Sequence, residues 1–162
     1  MSSASASCRR RKMPKHKTME KTFVMIKPDG VRRQLIASIL ARFTSAGLII
    51  TQLQLIKPNK EQATKHYEGL RTRGEGIMQR NVKTLCAGTV VIAILEGNNA
   101  VAKTRQLLGA TEPLLAATGT IRGDWANDTI LEATKENRGL ENLAHASDSV
   151  ENANVEEAIW FK

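Results

Sequence analysis

Apolar residues recur along this chain at two spacings, one typical of buried strands and one typical of helices. Strands are predicted where apolar residues are continuous or alternate, over 22–26, 48–57, 89–95 and 143–146. Helices are predicted where apolar residues recur every three or four positions, over 31–43, 59–70, 77–85, 99–108 and 150–161. The order is βαββαβ with extra helices, which by itself indicates a mixed α/β or α+β domain.

Polar residues at the ends of these segments support the helix predictions. Asn59 followed by Gln62 is typical of a capping box, in which each side chain bonds the other residue's backbone amide. Asp148 with Glu151 predicts a similar pair at the start of the last helix. Gly109 follows the helix over 99–108 and predicts its end.

The charge of the chain is concentrated in its first residues. The whole sequence has 24 Lys and Arg against 16 Asp and Glu, a net charge of +8. Residues 1–17 contain no acid and six bases, which are Arg9, Arg10, Arg11, Lys12, Lys15 and Lys17. The remainder is therefore close to neutral, with 18 bases against 16 acids. Basic residues within the remainder can then be interpreted as local phosphate contacts rather than a nucleic-acid surface.

We expect residues 1–19 to be a disordered basic tail and residues 20–162 to be the folded domain. Two alternatives for the tail stay open: an organelle-targeting segment, or a start site placed too early, with Met13 or Met19 as the true start. Nucleic acid is expected to bind only through this tail. Because the sequence has neither a secretory signal nor an apolar run long enough to cross a bilayer, we expect a cytoplasmic protein with no membrane partner.

His145 is the residue with the most informative surroundings. It lies between the apolar residues Leu143–Ala144 and a Ser-Asp-Ser turn, and Glu156 follows on the predicted last helix. A carboxylate that reaches a histidine determines which ring nitrogen carries the proton and leaves the other lone pair free to attack. A lone histidine is more commonly structural, but two further motifs favour chemistry: Lys27-Pro28-Asp29-Gly30 and Thr118-Gly119-Thr120-Ile121-Arg122-Gly123-Asp124.

With these motifs in this order, the chain resembles the nucleoside diphosphate kinase family from Thr22 to Phe161. The resemblance implies an α+β, ferredoxin-like βαββαβ sandwich: a four-stranded antiparallel sheet with helices on one face plus extra helices. It also implies an enzyme that transfers the γ-phosphate of a nucleoside triphosphate to a nucleoside diphosphate, by a ping-pong mechanism through a phosphohistidine on His145. The alternative is a kinase-like regulatory or nucleic-acid-binding protein with weak catalysis.

The resemblance also assigns roles to individual residues. The catalytic residues it implies are His145, Glu156, Lys27, Tyr67 and Ser147. The nucleotide-binding residues it implies are Lys27, Arg105, Thr111, Arg122 and Asn142. His66 is expected to be structural. The substrates would be ATP and other nucleoside di- and triphosphates, with Mg²⁺ held mostly by substrate phosphates and no protein metal ligand. A homo-oligomer is expected, with hexamer and tetramer both open.

Two segments depart from the family pattern. Members commonly have a phenylalanine on which the base stacks, but residues 73–78 read Arg-Gly-Glu-Gly-Ile-Met and contain no aromatic residue. Ile77, Met78 or a side chain elsewhere in the chain could supply that surface, and the sequence leaves these three alternatives open. The stretch from Trp125 to Glu141 is longer than the common form and is expected to reshape the rim of the nucleotide site.

Overall fold

The computed structural model describes residues 19–161, and its centre is one four-stranded sheet. The strands are β1 (Met19–Ile26), β2 (Ile49–Ile56), β3 (Val90–Asn98) and β4 (Ala144–Ala146). Their order in the sheet is β2-β3-β1-β4, and every neighbouring pair is antiparallel. This is the ferredoxin-like arrangement that the resemblance implied. Most of the predicted tail, residues 1–18, lies outside the described residues.

Helices cover both faces of this sheet. The part of the chain that the structure describes has eight α-helices: α1 (Pro28–Arg32), α2 (Ile36–Ser45), α3 (Lys60–Tyr67), α4 (Glu75–Cys86), α5 (Ala100–Leu108), α6 (Ile121–Trp125), α7 (Ile130–Lys135) and α8 (Val150–Trp160). Val24 and Ile26 of β1 pack with α2 and α5, the two helices of the βαββαβ unit. Phe23 and Met25 point the other way and pack with α3, α4 and α8. Since both faces are buried, β1 and β3 show continuous apolar character rather than alternation.

The chain between β1 and β2 differs from its prediction. One helix was predicted over 31–43, but the structure has α1 and α2 with a break between them. Gln34 adopts a left-handed φ of 58°, its amide donates to Val31 O, and the Leu35 amide donates to Gly30 O. These two bonds end α1 as a Schellman-type cap. Apolar spacing cannot reveal the break, because both helices contribute to the same core.

The predicted helix caps have different outcomes. The capping box of Asn59 and Gln62 is confirmed, with both reciprocal bonds present. The predicted Asp148–Glu151 pair at α8 is wrong, because Ser149 is the cap and its hydroxyl accepts the Asn152 amide at 3.0 Å. The Asp148 carboxylate instead accepts the side-chain amide of Asn152. Within residues 19–161, none of the helices combines the length and apolar character needed to span a bilayer.

Candidate active site

His145 projects from β4 onto the sheet face that α3, α4 and α8 cover. It lies directly opposite Met25 of β1 in the antiparallel register. Opposed residues in such a pair share a face, so the His145 ring enters the same side as Met25. The Phe23 ring lies 6.2 Å from the His145 ring, centre to centre. The imidazole is therefore held at the border between an apolar core and an open cleft.

Glu156 of α8 determines which nitrogen of His145 is available. His145 Nε2 lies 2.7 Å from Glu156 Oε1, and the Ser147 hydroxyl donates to the other carboxylate oxygen, Oε2. Because an ionised carboxylate only accepts hydrogen bonds, Nε2 carries the proton and Nδ1 keeps its lone pair. The structure thus brings together the predicted residues His145, Glu156 and Ser147. They leave an unprotonated ring nitrogen, Nδ1, which is what a nucleophile needs.

His66 of α3 lies behind this pair. Its ring is 4.6 Å from that of His145, and its Nδ1 accepts the Trp160 indole N–H at 3.4 Å. Burial, followed by the charges of His145 and Lys27, lowers the pKa of His66 well below its ordinary value. His66 is therefore neutral at physiological pH. Its packing against His145 could not be inferred from sequence, because the only signal was its position beside Tyr67.

Asp29 holds the backbone immediately before His145. Its buried carboxylate accepts the Leu143 amide at 2.9 Å, and Leu143 has a left-handed φ of 71°. A branched residue rarely adopts this conformation, so the Asp29 bond helps to maintain it. Gly30 allows the close approach, because a Cβ there would lie 2.9 Å from Leu143 O. Asp29 belongs to the Lys-Pro-Asp-Gly motif, but the sequence alone indicates no role for its carboxylate.

Lys27 and Asn142 form one linked unit beside the histidine. Lys27 Nζ donates to Asn142 Oδ1 at 2.8 Å, and Asn142 Nδ2 donates to Thr111 O at 2.8 Å. Burial lowers the pKa of Lys27 to about 8, although the Asp29 carboxylate opposes this shift. Asn142 is only 2% exposed. Its carboxamide therefore fixes both the lysine and the Thr111 loop, and direct contact between Asn142 and a nucleotide stays a prediction.

Arg122 and Arg105 place two guanidinium groups close together. Arg122 donates to the carbonyls of Gly109, Asn142 and Ala144 at 2.9, 3.2 and 2.7 Å. Burial, followed by the charge of Arg105, lowers the pKa of Arg122 to about 10, so it stays charged. The Arg105 guanidinium has no hydrogen-bonding or ionic partner within residues 19–161, and the Arg105 carbonyl accepts the Gly109 amide. Two like charges with so little compensation are typical of an anion-binding site.

Tyr67 adds a donor beside these cations. Burial, followed by the charges of Asp29 and Glu156, raises the pKa of Tyr67 above its ordinary value. The phenol therefore keeps its proton at neutral pH. Its hydroxyl bonds to nothing in the part of the chain that the structure describes, so it can donate to a ligand.

A cleft of about 530 Å³ joins these groups. It is lined by every predicted site residue except Ser147, namely Lys27, Tyr67, Arg105, Thr111, Arg122, Asn142, His145 and Glu156. Its volume suits a small-molecule ligand. A nucleophilic nitrogen surrounded by cations and donors can accept a phosphoryl group, whose oxygens carry negative charge.

Comparison with known proteins agrees with this geometry. The nucleoside diphosphate kinase family model matches residues 20–162. The chain belongs to the nucleoside diphosphate kinase family. It is 40% identical to a nucleoside diphosphate kinase of Synechocystis, and the match covers 89% of each chain. It is 43% identical to a nucleoside diphosphate kinase of Mycobacterium bovis, and that match covers 88% of this chain and 96% of the relative.

A solved structure has the same fold. It is a transition-state mimic of the nucleoside diphosphate kinase of Borrelia burgdorferi with bound vanadate and ADP. Its TM-score is 0.85 at 34% identity, with 89% of this chain and 88% of the other covered. The chain is thus a phosphotransferase that moves the γ-phosphate of a nucleoside triphosphate to a nucleoside diphosphate.

One group of side chains in the cleft could bind a metal ion directly. The ligand atoms of His66, His145 and Glu156 all lie within 4.8 Å of one another. Two imidazoles and one carboxylate suit zinc or copper, whereas Mg²⁺ prefers oxygen ligands. This group therefore does not fit the Mg²⁺ that the resemblance implied.

The structure also separates the two candidates for the base-stacking surface. Met78 is 1% exposed and belongs to the core formed with α3 and α8. Ile77 lines the cleft. Of the two, Ile77 is the one that a bound nucleotide can reach.

Proposed function

We propose that phosphate transfer proceeds by a ping-pong mechanism through His145. The Nδ1 lone pair attacks the γ-phosphorus of the donor, a P–N bond forms, and the bond from the γ-phosphorus to its bridging oxygen breaks. The nucleoside diphosphate leaves with that electron pair. An acceptor diphosphate then enters the same cleft, and its terminal oxygen takes the phosphoryl group back from Nδ1. The observation that carries this proposal is the 2.7 Å bond between His145 Nε2 and Glu156, which leaves Nδ1 unprotonated.

The remaining site residues would stabilise charge on the transferring group. Arg105 and Arg122 supply fixed positive charge, and Lys27 adds a third cation. Tyr67 would donate from its hydroxyl, and Thr111 would contact the nucleotide from its loop. Such preorganised donors act most strongly where negative charge develops during reaction. The vanadate and ADP bound in the Borrelia burgdorferi relative, as a mimic of the transition state, support phosphate transfer by a protein of this fold.

Mg²⁺ is the proposed divalent ion, and its chemistry would be to neutralise phosphate oxygens during transfer. Among the described residues that line the cleft, only Asp148 and Glu156 have carboxylates. Glu156 is engaged with His145 and Ser147. Asp148 is thus the carboxylate available to approach an ion held mainly by substrate phosphates. So few acidic groups fit a substrate-bound ion better than a site built by the protein.

Three broader features are proposed with this mechanism. Residues 20–162 would form the catalytic domain, a division supported by the extent of the family match. The enzyme would work as a homo-oligomer, a hexamer or a tetramer, in the cytoplasm. Light scattering tests the assembly, and a stable monomer with full activity would contradict it.

The experiment that tests the mechanism uses γ-labelled ATP followed by an unlabelled nucleoside diphosphate. The wild-type protein should retain the label and release it as triphosphate when the diphosphate is added. His145→Ala should retain none, whereas the control His16→Ala should behave as the wild type. An acid-labile phosphoprotein that persists in His145→Ala would refute the assignment.

A further inference from the structure

His66 and Glu156 lie next to each other in the cleft without a proton between them. His66 Nδ1 is 3.6 Å from Glu156 Oε1, which is too far for a hydrogen bond. The same Nδ1 accepts the Trp160 indole N–H at 3.4 Å, so it carries a lone pair rather than a proton. Two lone pairs this close repel each other, and a cation between them would be attracted by both.

His145 brings a third possible ligand to the same carboxylate oxygen. His145 Nε2 lies 2.7 Å from Glu156 Oε1, and ligand atoms of His66, His145 and Glu156 all lie within 4.8 Å of one another. Ligands bound tetrahedrally to zinc, at about 2.0–2.2 Å from the metal, are roughly 3.3–3.5 Å apart. The 3.6 Å separation from His66 is close to this spacing, whereas the 2.7 Å separation must lengthen by about half an ångström. The three side chains therefore need only a small rearrangement to surround one ion.

The chemistry of these ligands selects zinc rather than the magnesium of the substrate. Two imidazoles and one carboxylate form a ligand set found in catalytic zinc sites, where water takes the fourth position. Mg²⁺ instead prefers six oxygen ligands, so it would not compete for this place. All three side chains line the cleft, and the His145 side chain is 29% exposed. An ion can therefore enter from the cleft, and a water molecule there can complete its coordination.

Taking phosphate transfer at His145 as the function, we propose that His66, His145 and Glu156 form an inhibitory site for zinc. The ion binds Nδ1 of His66, Oε1 of Glu156 and Nε2 of His145, with water as its fourth ligand. It takes the place of the proton that His145 Nε2 otherwise shares with Glu156. The histidine that carries the phosphoryl group is thus also a metal ligand, and His66 is the residue that adds the second imidazole.

Zinc on Nε2 removes the lone pair that attacks phosphorus. A neutral imidazole has one N–H and one lone pair, so an ion that takes the lone pair of Nε2 requires the proton on Nδ1. One proton leaves Nε2 for solvent and one binds Nδ1, so the ring keeps the same number of protons. The ring also faces a divalent cation, which opposes the positive charge that the ring gains during attack. His145 therefore cannot be phosphorylated until the ion leaves.

Isothermal titration of the nucleotide-free, full-length protein with zinc chloride tests the site. The wild type should bind one equivalent. His66→Gln removes one ligand, but its carboxamide oxygen can still accept the Trp160 indole N–H, so the local packing is kept. This variant should bind zinc at least about tenfold more weakly. The control is the thiol-free variant Cys8→Ala/Cys86→Ala, which removes both cysteines of the chain and should bind zinc as the wild type does.

Labelling with γ-labelled ATP and excess Mg²⁺ tests the inhibition, at free zinc concentrations set by a metal buffer. Phosphorylation of the wild type should fall to zero as the site fills, and removal of zinc by a chelator before ATP is added should restore it. Relative to its own rate without zinc, His66→Gln should need at least about tenfold more free zinc for half inhibition. The thiol-free variant should respond to zinc as the wild type does, and melting temperatures verify the fold.

The outcomes separate this proposal from the catalytic one. Equal zinc affinity in His66→Gln and the wild type, or loss of zinc binding in the thiol-free variant, would overturn the site. Full phosphorylation with one equivalent of zinc bound would overturn the inhibition. If His66→Gln does not fold, Glu156→Gln replaces it in the titration and should show a similar loss, because a neutral amide oxygen is a weaker ligand than a carboxylate. A wild-type protein that forms no phosphoenzyme without zinc would instead refute the catalytic mechanism, and the titration would still test the zinc site.

Discussion

Replacing Glu156 by glutamine should slow phosphorylation of His145 without unfolding the protein. The carboxylate accepts from His145 Nε2 at 2.7 Å and from the Ser147 hydroxyl. A glutamine preserves the shape, and Ser147 can rotate to accept its amide N–H, because a hydroxyl both donates and accepts. The amide oxygen then still faces Nε2. What the substitution removes is the negative charge beside a ring that becomes positive during attack.

The size of this effect follows from the hydrogen bond that changes. A bond to a charged acceptor contributes about 1.5–3 kcal/mol, and one to a neutral acceptor about 0.5–1.5 kcal/mol. The loss is therefore about 1–2 kcal/mol, which corresponds to a roughly five- to thirtyfold slower reaction. Glu156 is largely buried, so solvent screens this interaction little.

Rapid-quench measurement with saturating γ-labelled ATP gives the rate of phosphoenzyme formation directly. The matched control is Glu157→Gln, whose carboxylate instead bonds Gln52 at 2.9 Å and lies 4.0 Å from Lys21 Nζ. The control should phosphorylate at the wild-type rate. If Glu156→Gln also does so with an unchanged melting temperature, the carboxylate does not activate the histidine and the reasoning fails.

Four further predictions follow from the site and the tail. Because the pKa of Lys27 is about 8, the lysine loses its charge as the pH rises through 8, and kcat/KM should fall in that range. Lys27→Met should lack this alkaline decrease in the pH profile of kcat/KM. Arg122→Leu leaves three backbone carbonyls without their hydrogen-bond donor and should lower the free energy of unfolding in urea by about 3–5 kcal/mol. A loss under about 1 kcal/mol would show that these bonds do not stabilise the fold. A chain that starts at Met19, where β1 begins, should keep its melting temperature and its rate of phosphate exchange but bind polyanions more weakly. A large loss of exchange activity with an intact fold would show that residues 1–18 take part in catalysis. The ratio of kcat/KM between any two nucleotides that differ in their base should stay below roughly a hundredfold. A larger ratio would indicate a hydrogen bond to the base edge, and Arg80, which lines the cleft, would be the first residue to test.

The strands and most helices could be predicted because the spacing of apolar residues within each segment indicates which of its faces is buried. β1 and β3 are buried on both faces, which produces the continuous runs that identified them. The break at Gln34 could not be predicted, because it depends on one left-handed residue inside an unchanged apolar period. α7 was missed because it is only six residues long, and two of its apolar residues, Ile130 and Leu131, are exposed.

The candidate site was predictable where its residues lie close in the chain and only by resemblance elsewhere. The pairing of His145 with Glu156 could be anticipated, since a helix after the Ser-Asp-Ser turn returns the carboxylate to the histidine. The hydrogen bond from the Leu143 amide to the Asp29 carboxylate joins residues far apart in sequence, so no local sequence pattern predicts it. The position of the segment between α6 and β4 likewise depends on its packing against α4, where the Gly139 amide donates to the Thr84 hydroxyl.

The position of the phosphate on the imidazole tests the central claim most directly. The phosphoenzyme can be formed from ATP, digested under basic conditions, and its phosphohistidine identified by ³¹P NMR against both ring isomers. Because Glu156 holds Nε2, we predict phosphate on Nδ1 of His145, and loss of that phosphate when a nucleoside diphosphate is added. Phosphate on Nε2, or on any residue other than His145, would contradict it.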